Sequence, residues 1–209
     1  MTWPTKLADH DKNRLQPELI LTKSSIREVQ PVLHHPLLTL MLLSGADYER
    51  LLDMVSHPEV IRYVNRASQP LPIRARKLVM QIKDSALTMQ SLHFGIWEKA
   101  TGKFAGLVSF QFWNELTGEA QVGYILGRDW WGRGYATASL KLLLQFGFSR
   151  LGLHDVEARC HPDNSASLRV LVKNGLTFGR VIAPYAEGDG GVPVHVYKLT
   201  RNQWMRQKM

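Results

Sequence analysis

A chain of 209 residues suits one domain with an appendage and leaves no room for two full catalytic domains. With 44% hydrophobic and 21% charged residues it can bury a sizeable core, which excludes wholesale disorder. Lys and Arg number 26 against 18 Asp and Glu, a formal charge of +8 that favours an anionic partner, and the single cysteine excludes an internal disulfide framework or a cysteine-built zinc site. The excess charge is uneven: residues 122–209 hold 12 basic and 6 acidic side chains, so six of the eight excess positives lie there. Met1 to Lys6 has no apolar stretch behind it, and no run approaches the ~20 apolar residues of a membrane span, so a cytoplasmic protein is expected.

Residues 1–34 are polar, are broken by Pro4, Pro17 and Pro31, and carry no sustained apolar period. They read as an extension or arm, with residues 35–209 as a single domain. Leu37 to Leu43 predicts a strand, and Tyr48, Leu51, Leu52 and Val55 follow at the spacing of one helix face. Pro58 interrupts that helix, and Val60, Ile61, Tyr63 and Val64 suggest a further turn. After Pro70 and Pro72, Ala75, Leu78, Val79, Ile82 and Ala86 keep helical spacing. His93–Glu98, Phe104–Trp113 and Ala120–Leu126 read as three consecutive antiparallel strands joined by short glycine-bearing loops. The pattern then alternates. A helix over Tyr135–Phe148, a strand over Val156–Cys160, a helix capped by Asn164 and ended by Gly175, and strands over Leu176–Ile182 and Val194–Leu199 complete an α+β chain with a mixed sheet.

The stretch from Val122 to Thr137 carries the chemistry. A glycine-bearing loop between strand and helix exposes backbone N–H groups, and the positive end of the helix favours an anion, above all a phosphate. Gly132 and Gly134 would let the backbone approach it, with Arg128 and Arg133 adding charge; a plain tight turn needing glycine is the equal alternative from the loop alone. A dinucleotide fingerprint fits less well, because Thr137 stands where its third glycine belongs and the loop follows hairpins.

Trp131-Gly132-Arg133-Gly134-Tyr135-Ala136 resembles the pyrophosphate loop of the GNAT superfamily of N-acetyltransferases, Gln/Arg-x-x-Gly-x-Gly/Ala, departing from it at Trp131. Asp47 to Val64, Asp155 to Ala158, Asn164 to Gly175 and Tyr197 to Trp204 resemble, in order, the branch that contains the ribosomal-protein-alanine N-acetyltransferases, so the likeness spans about residues 36–204. It implies a mostly antiparallel central sheet flanked by helices, with strands 120–126 and 156–160 splayed around acetyl-coenzyme A. The loop from Arg128 to Ala136 would then hold the pyrophosphate. Tyr124, Ile125 and Leu126, with Trp131, Thr137, Asn164 and Ser167, would hold the rest of the cofactor. Arg169, Lys173 and Arg180 are candidates for its 3′-phosphate, and equally for solvated surface charge.

Acyl transfer to an amine needs an unprotonated amine, a donor for the developing oxyanion and a proton for the leaving thiolate. Glu119 is the first candidate base. Many members of this branch carry Glu where Gln121 stands, and Leu171 replaces the tyrosine that other branches use as acid. Ser167 is the nearest hydroxyl on that helix. Cys160 reads as a buried strand cysteine rather than a nucleophile, and His93, His154 and His161 lack metal-ligand spacing, so no metal is expected. Trp130 and Trp131 would pack on the cofactor or line the acceptor mouth.

The leading expectation is therefore acetyl transfer to the primary amine of a protein N-terminus or a small molecule. A non-catalytic acyl-coenzyme A sensor, and a basic module associated with RNA or the ribosome, rank behind it. No membrane partner is expected and nucleic acid is not favoured. A homodimer contact is one option for residues 1–34, beside an arm or a tail. Acceptor choice is assigned to the helices within residues 47–86 and the loops Asn114–Gly118 and Tyr185–Pro193.

Overall fold

The computed structural model describes residues 20–64, 69–183 and 193–207. The expected arm before residue 20 and most of the loop at 185–193 lie outside them. Eight strands form one sheet in the order β1-β2-β3-β4-β5-β6-β8-β7. They are β1 (Val32–His34), β2 (Leu38–Leu42), β3 (Leu92–Glu98), β4 (Phe104–Asn114), β5 (Glu119–Leu126), β6 (Asp155–Cys160), β7 (Thr177–Ile182) and β8 (Val194–Thr200). Every neighbouring pair is antiparallel except β5 with β6, which is parallel.

Helices cover both faces. On one, α5 (Tyr135–Arg150) packs its apolar side chains on Phe94 and Phe110, with Leu140, Leu143 and Phe148 fully buried and the Phe94 and Phe146 rings edge to face at 5.8 Å. On the other, α2 (Asp47–Val55), α3 (Pro58–Ile61) and α4 (Leu71–Leu87) bury Leu51, Val55, Val79 and Ile82 against Leu107. β4 feeds both layers and is buried on each side from Ala105 to Phe110, whereas β5 buries Ala120, Val122 and Leu126 and leaves its other positions partly open.

Two features position the site. The β5–β6 pairing covers only Glu119–Val122 against Asp155–Ala158, so the strands part after Val122 and the second half of β5 faces an opening. The crossover between them must be right-handed and helical to return a parallel strand, and α5 supplies it. Its first turn therefore meets the end of β5 through a short loop. α6 (Ser165–Lys173), which follows β6, closes the other side.

The boundary expected at residue 35 is displaced. α1 (Lys23–Val29) is held by a capping box at Thr22 and buries Ile26 completely, while β1 pairs with β2 from Val32↔Met41 to His34↔Thr39. A seven-residue helix with one buried side chain and a three-residue strand offer no period to read, so residues 20–34 resemble an arm in sequence and belong to the domain in structure. The short terminal helix α7 (Arg201–Arg206) escaped for the same reason; its Trp204 lies 5.1 Å from the Phe148 ring.

Among the described residues no helix is long and apolar enough to cross a membrane. Nor does any group of three His, Cys, Asp or Glu among them have the arrangement of a metal site.

Candidate active site

A cleft of about 470 Å³ opens where β5 and β6 part. Tyr124, Ile125 and Leu126 of β5 form one wall, and Asn164 and Ser167 of α6 the opposite one. Trp131, Gly132 and Gly134 of the loop, then Tyr135, Ala136 and Thr137 of α5, form its end. These eleven are expected site residues, and folding brings them together.

The loop is shaped for an anion. A single 3-10 turn over Arg128–Trp130 leads to Gly132 and Gly134, whose φ angles of 69° and 84° lie in the left-handed region that favours glycine. No atom lies within 4 Å of a Cβ built on either one, so the backbone is open toward the cleft. Gly134 is the N-cap of α5 and offers no side-chain oxygen, which leaves the amides of the first turn without a side-chain cap and facing the positive end of a 16-residue helix. Arg169 and Lys173 of α6 line the cleft and supply its side-chain cations.

The two loop arginines act differently from the expectation. Neither side chain lines the cleft. Arg128 forms an ion pair with Glu59 of α3 at 2.7 Å, and Arg133 reaches the Glu98 carboxylate at 3.2 Å and the Asp129 carbonyl at 3.2 Å. They bind the loop to the body of the protein. Arg180 is likewise spoken for, by a two-pronged contact with Glu157 at 2.9 and 3.2 Å.

Behind the loop, Glu98 is 6% exposed and accepts from Tyr135 Oη at 2.5 Å and Thr101 Oγ1 at 2.6 Å, besides Arg133. The Thr101 and Tyr135 hydrogen bonds hold its carboxyl below the usual range, and the same carboxylate pushes the Tyr135 phenol up.

On the α6 wall, Asn164 caps the helix by accepting from the Ser167 amide at 3.1 Å, so its expected capping role is present. Ser167 Oγ lies 2.8 Å from Tyr124 Oη. Burial pushes the Tyr124 phenol up to about 12. Burial also raises the Cys160 thiol, which is 4% exposed, and this fits a structural cysteine rather than a nucleophile.

Glu119 is not brought to the site. It is exposed at the first position of β5, accepts from Thr117 Oγ1 at 3.1 Å and pairs in register with Asp155. Tyr124 is five residues further on, about 17 Å along an extended strand. Alternation assigns a residue to a face of a sheet but says nothing of how far along the strand the opening lies. Gln121, also before the parting, does not line the cleft either. Conversely, Glu59, Val60 and Tyr63 of the α3 segment line it, with Tyr63 against the His161 ring at 5.6 Å. Only tertiary packing brings α3 there, although it lies within the Asp47–Val64 stretch that carries part of the resemblance. Trp130 and Trp131 both line the cleft, and Trp131 Nε1 donates to the Leu126 carbonyl at 2.9 Å.

A mixed sheet parted between two parallel strands, with an open glycine loop at a helix N-terminus beside the gap, suits a ligand with a phosphate-bearing head and a slender arm. Residues 38–177 match the family described as Acetyltransferase (GNAT) domain. The chain is 31% identical over 170 residues to p20 of Bacillus licheniformis, described as an uncharacterized N-acetyltransferase, which covers 80% of this chain and 94% of the relative. In fold it is similar to spermidine N-acetyltransferase from Vibrio cholerae in complex with CoA and spermine, at 14% identity and TM-score 0.70, covering 82% and 99% of the two chains. It is also similar to Mycobacterium smegmatis RimJ in complex with CoA-disulfide, at 19% identity and TM-score 0.70, covering 85% and 93%. The chain belongs to the GNAT acetyltransferase family and is an N-acetyltransferase with acetyl-coenzyme A as its co-substrate. The cleft fits that molecule: the open glycine backbone and uncapped α5 amides suit a pyrophosphate, Arg169 and Lys173 suit a further phosphate, and the parted strands leave a slot for the pantetheine arm.

Proposed function

We propose that this enzyme acetylates the primary amine of a protein N-terminus or a small molecule by direct attack on the thioester. The carrying observation is the cleft that runs from the Gly132–Gly134 loop to the Tyr124–Ser167 pair, which supports a reading with the donor's phosphates at one end and its sulfur at the other. The nitrogen lone pair forms the N–C bond, the C–S bond breaks, and its electron pair leaves on sulfur. Backbone N–H groups in the stretch of β5 beyond Val122 are placed to meet the developing oxyanion. Ser167 Oγ–H is the donor for the departing thiolate.

The base departs from expectation. Among the described lining residues Glu59 carries the only carboxylate, and Arg128 holds it in an ion pair. The acceptor therefore enters as the neutral amine and releases its proton to water, so activity rises with pH toward the pKa of the amine. Direct transfer needs no acyl-enzyme, in keeping with the buried Cys160.

Titration calorimetry with acetyl-coenzyme A, followed by free-thiol release with N-terminal peptides, polyamines and other small amines, tests the proposal. Micromolar binding with thiol release only in the presence of an amine is expected. Tight binding with no release across the whole panel would return the protein to the sensor reading.

A further inference from the structure

Tyr124 is half-buried on the wall of the cleft, and its hydroxyl has partners there. Two oxygens lie near its Oη, and both belong to Ser167: Oγ at 2.8 Å and the carbonyl at 3.4 Å. An O–H···O bond is normally about 2.5–3.0 Å long, so Oη and Oγ share the close hydrogen bond, in which either hydroxyl can donate; with the Tyr124 proton in it, the Ser167 hydrogen is left to point elsewhere. The carbonyl is the weaker alternative at the longer distance. The phenol also stays protonated across the working range, because burial pushes it to about 12. It is a permanent donor.

A serine oxygen that accepts along one direction has its own hydrogen left to point elsewhere. Here the backbone of Ser167 is fixed by the Asn164 cap, and α6 and β5 hold the two side chains on opposite walls of the slot. The sulfur of Cys160 also lies on this side. Burial raises the Cys160 thiol, and the Ser167 hydroxyl draws it back down by less.

We infer that Tyr124 is a positioning residue of acetyl transfer: by donating to Ser167 Oγ it turns the Ser167 hydrogen toward the sulfur of the bound coenzyme. The inference rests on the acetyl-transfer reading above. As the C–S bond breaks, the electron pair left on sulfur meets the Ser167 O–H as a hydrogen-bond donor. Ser167 keeps its proton, Tyr124 keeps its own, and the thiolate later takes a proton from water. The proton released by the amine balances it. Neither hydroxyl has to ionise, which a phenol held near 12 would resist.

The test needs no acceptor. Product coenzyme A is bound to the wild type, Y124F, S167A and the double variant, and its thiol is titrated by thiolate ultraviolet absorbance. The matching complex with desulfo-coenzyme A is subtracted to remove Cys160 and the tyrosines. Phe keeps the ring of Tyr124. Y124F should raise the titration midpoint of the bound thiol by about one pH unit, S167A should do the same, and the double variant should add nothing. With any amine that turns over, Y124F should lower kcat about tenfold and leave KM for acetyl-coenzyme A within about twofold. A midpoint that moves in S167A but not in Y124F overturns the inference. A midpoint unmoved in both shows that Ser167 does not face the sulfur and overturns it too, while coenzyme binding still stands. Failure of the wild type to bind coenzyme A would instead bring down the underlying reading.

Discussion

The Tyr135 hydroxyl donates to the Glu98 carboxylate at 2.5 Å, behind the loop that lines the cleft. Glu98 ends β3 and Tyr135 begins α5, so one buried carboxylate ties the sheet to the helix whose uncapped amides face the cleft. Arg133, midway along the loop, binds the same group. An anion site depends on amides that already point inward, and reorganising them on binding would cost affinity.

Glu98→Gln should therefore weaken acetyl-coenzyme A binding about tenfold, with kcat at saturation within about twofold, since charge-assisted hydrogen bonds are lost while volume is kept. Calorimetry of coenzyme A checks this, and Tyr135→Phe should move in the same direction. The pH dependence has a definite sign. Because the Thr101 and Tyr135 hydrogen bonds lower the folded-state pKa of Glu98, its contribution is complete above the ordinary carboxylate range and is lost as pH falls through the lowered value. Binding that fails already near neutrality for lack of this anchor would contradict the assignment.

Gly134→Ala should separate strain from site blockage. Its φ of 84° costs a Cβ-bearing residue about 1–2 kcal/mol, and the added methyl would project into the open cradle. Gly45, at φ 38° before α2, has similarly open space and lies outside the cleft. Both alanine variants should lose stability in chemical denaturation. Only Gly134→Ala should also lose coenzyme affinity, by more than about tenfold.

Ile26→Ala probes the domain boundary. Ile26 is fully buried in the main core, so truncation should cost about 3 kcal/mol in urea denaturation, with coenzyme affinity in the surviving folded protein unchanged. An N-terminal appendage would lose nothing on that substitution.

What the sequence conveyed and what it withheld divide along one line. Elements with a sustained period were legible: β3, β4 and β5, the buried face of α5, and the Asn164 cap all lie where alternation, helical spacing and cap chemistry put them. The loop from Trp131 to Ala136 was legible because its glycines carry a backbone requirement that leaves a local trace. Relations between distant segments leave none. Nothing in Arg133 says that its charge is directed to Glu98, 35 positions away, and nothing in Glu59 says that it will face the cleft. The distance of Glu119 from the cleft is hidden for the same reason, because the parting of β5 from β6 is a property of two strands and a crossover.

His93 gives a pH dependence unconnected with the cleft. It sits in β3 with 4% exposure, opposite Ser109 in the β4 register, and its Nε2 lies 2.8 Å from Ser85 Oγ. Its Nδ1 is buried without a hydrogen-bond partner among the described residues. Burial lowers its pKa from 6.5 to about 4, so the folded state holds the neutral ring while the unfolded chain takes up a proton below about pH 6.5. The folded pKa is thus depressed, and the stability associated with the neutral ring is present above the unfolded value. It is lost progressively as pH falls from 6.5 toward 4, by about 3 kcal/mol over the full window. Urea denaturation at about pH 7 and about pH 4.5 should show this loss in the wild type, and His93→Met, which cannot titrate, should flatten the difference by a comparable amount. An unchanged pH dependence in that variant would mean that the ring is protonated in the folded protein with an acceptor at Nδ1.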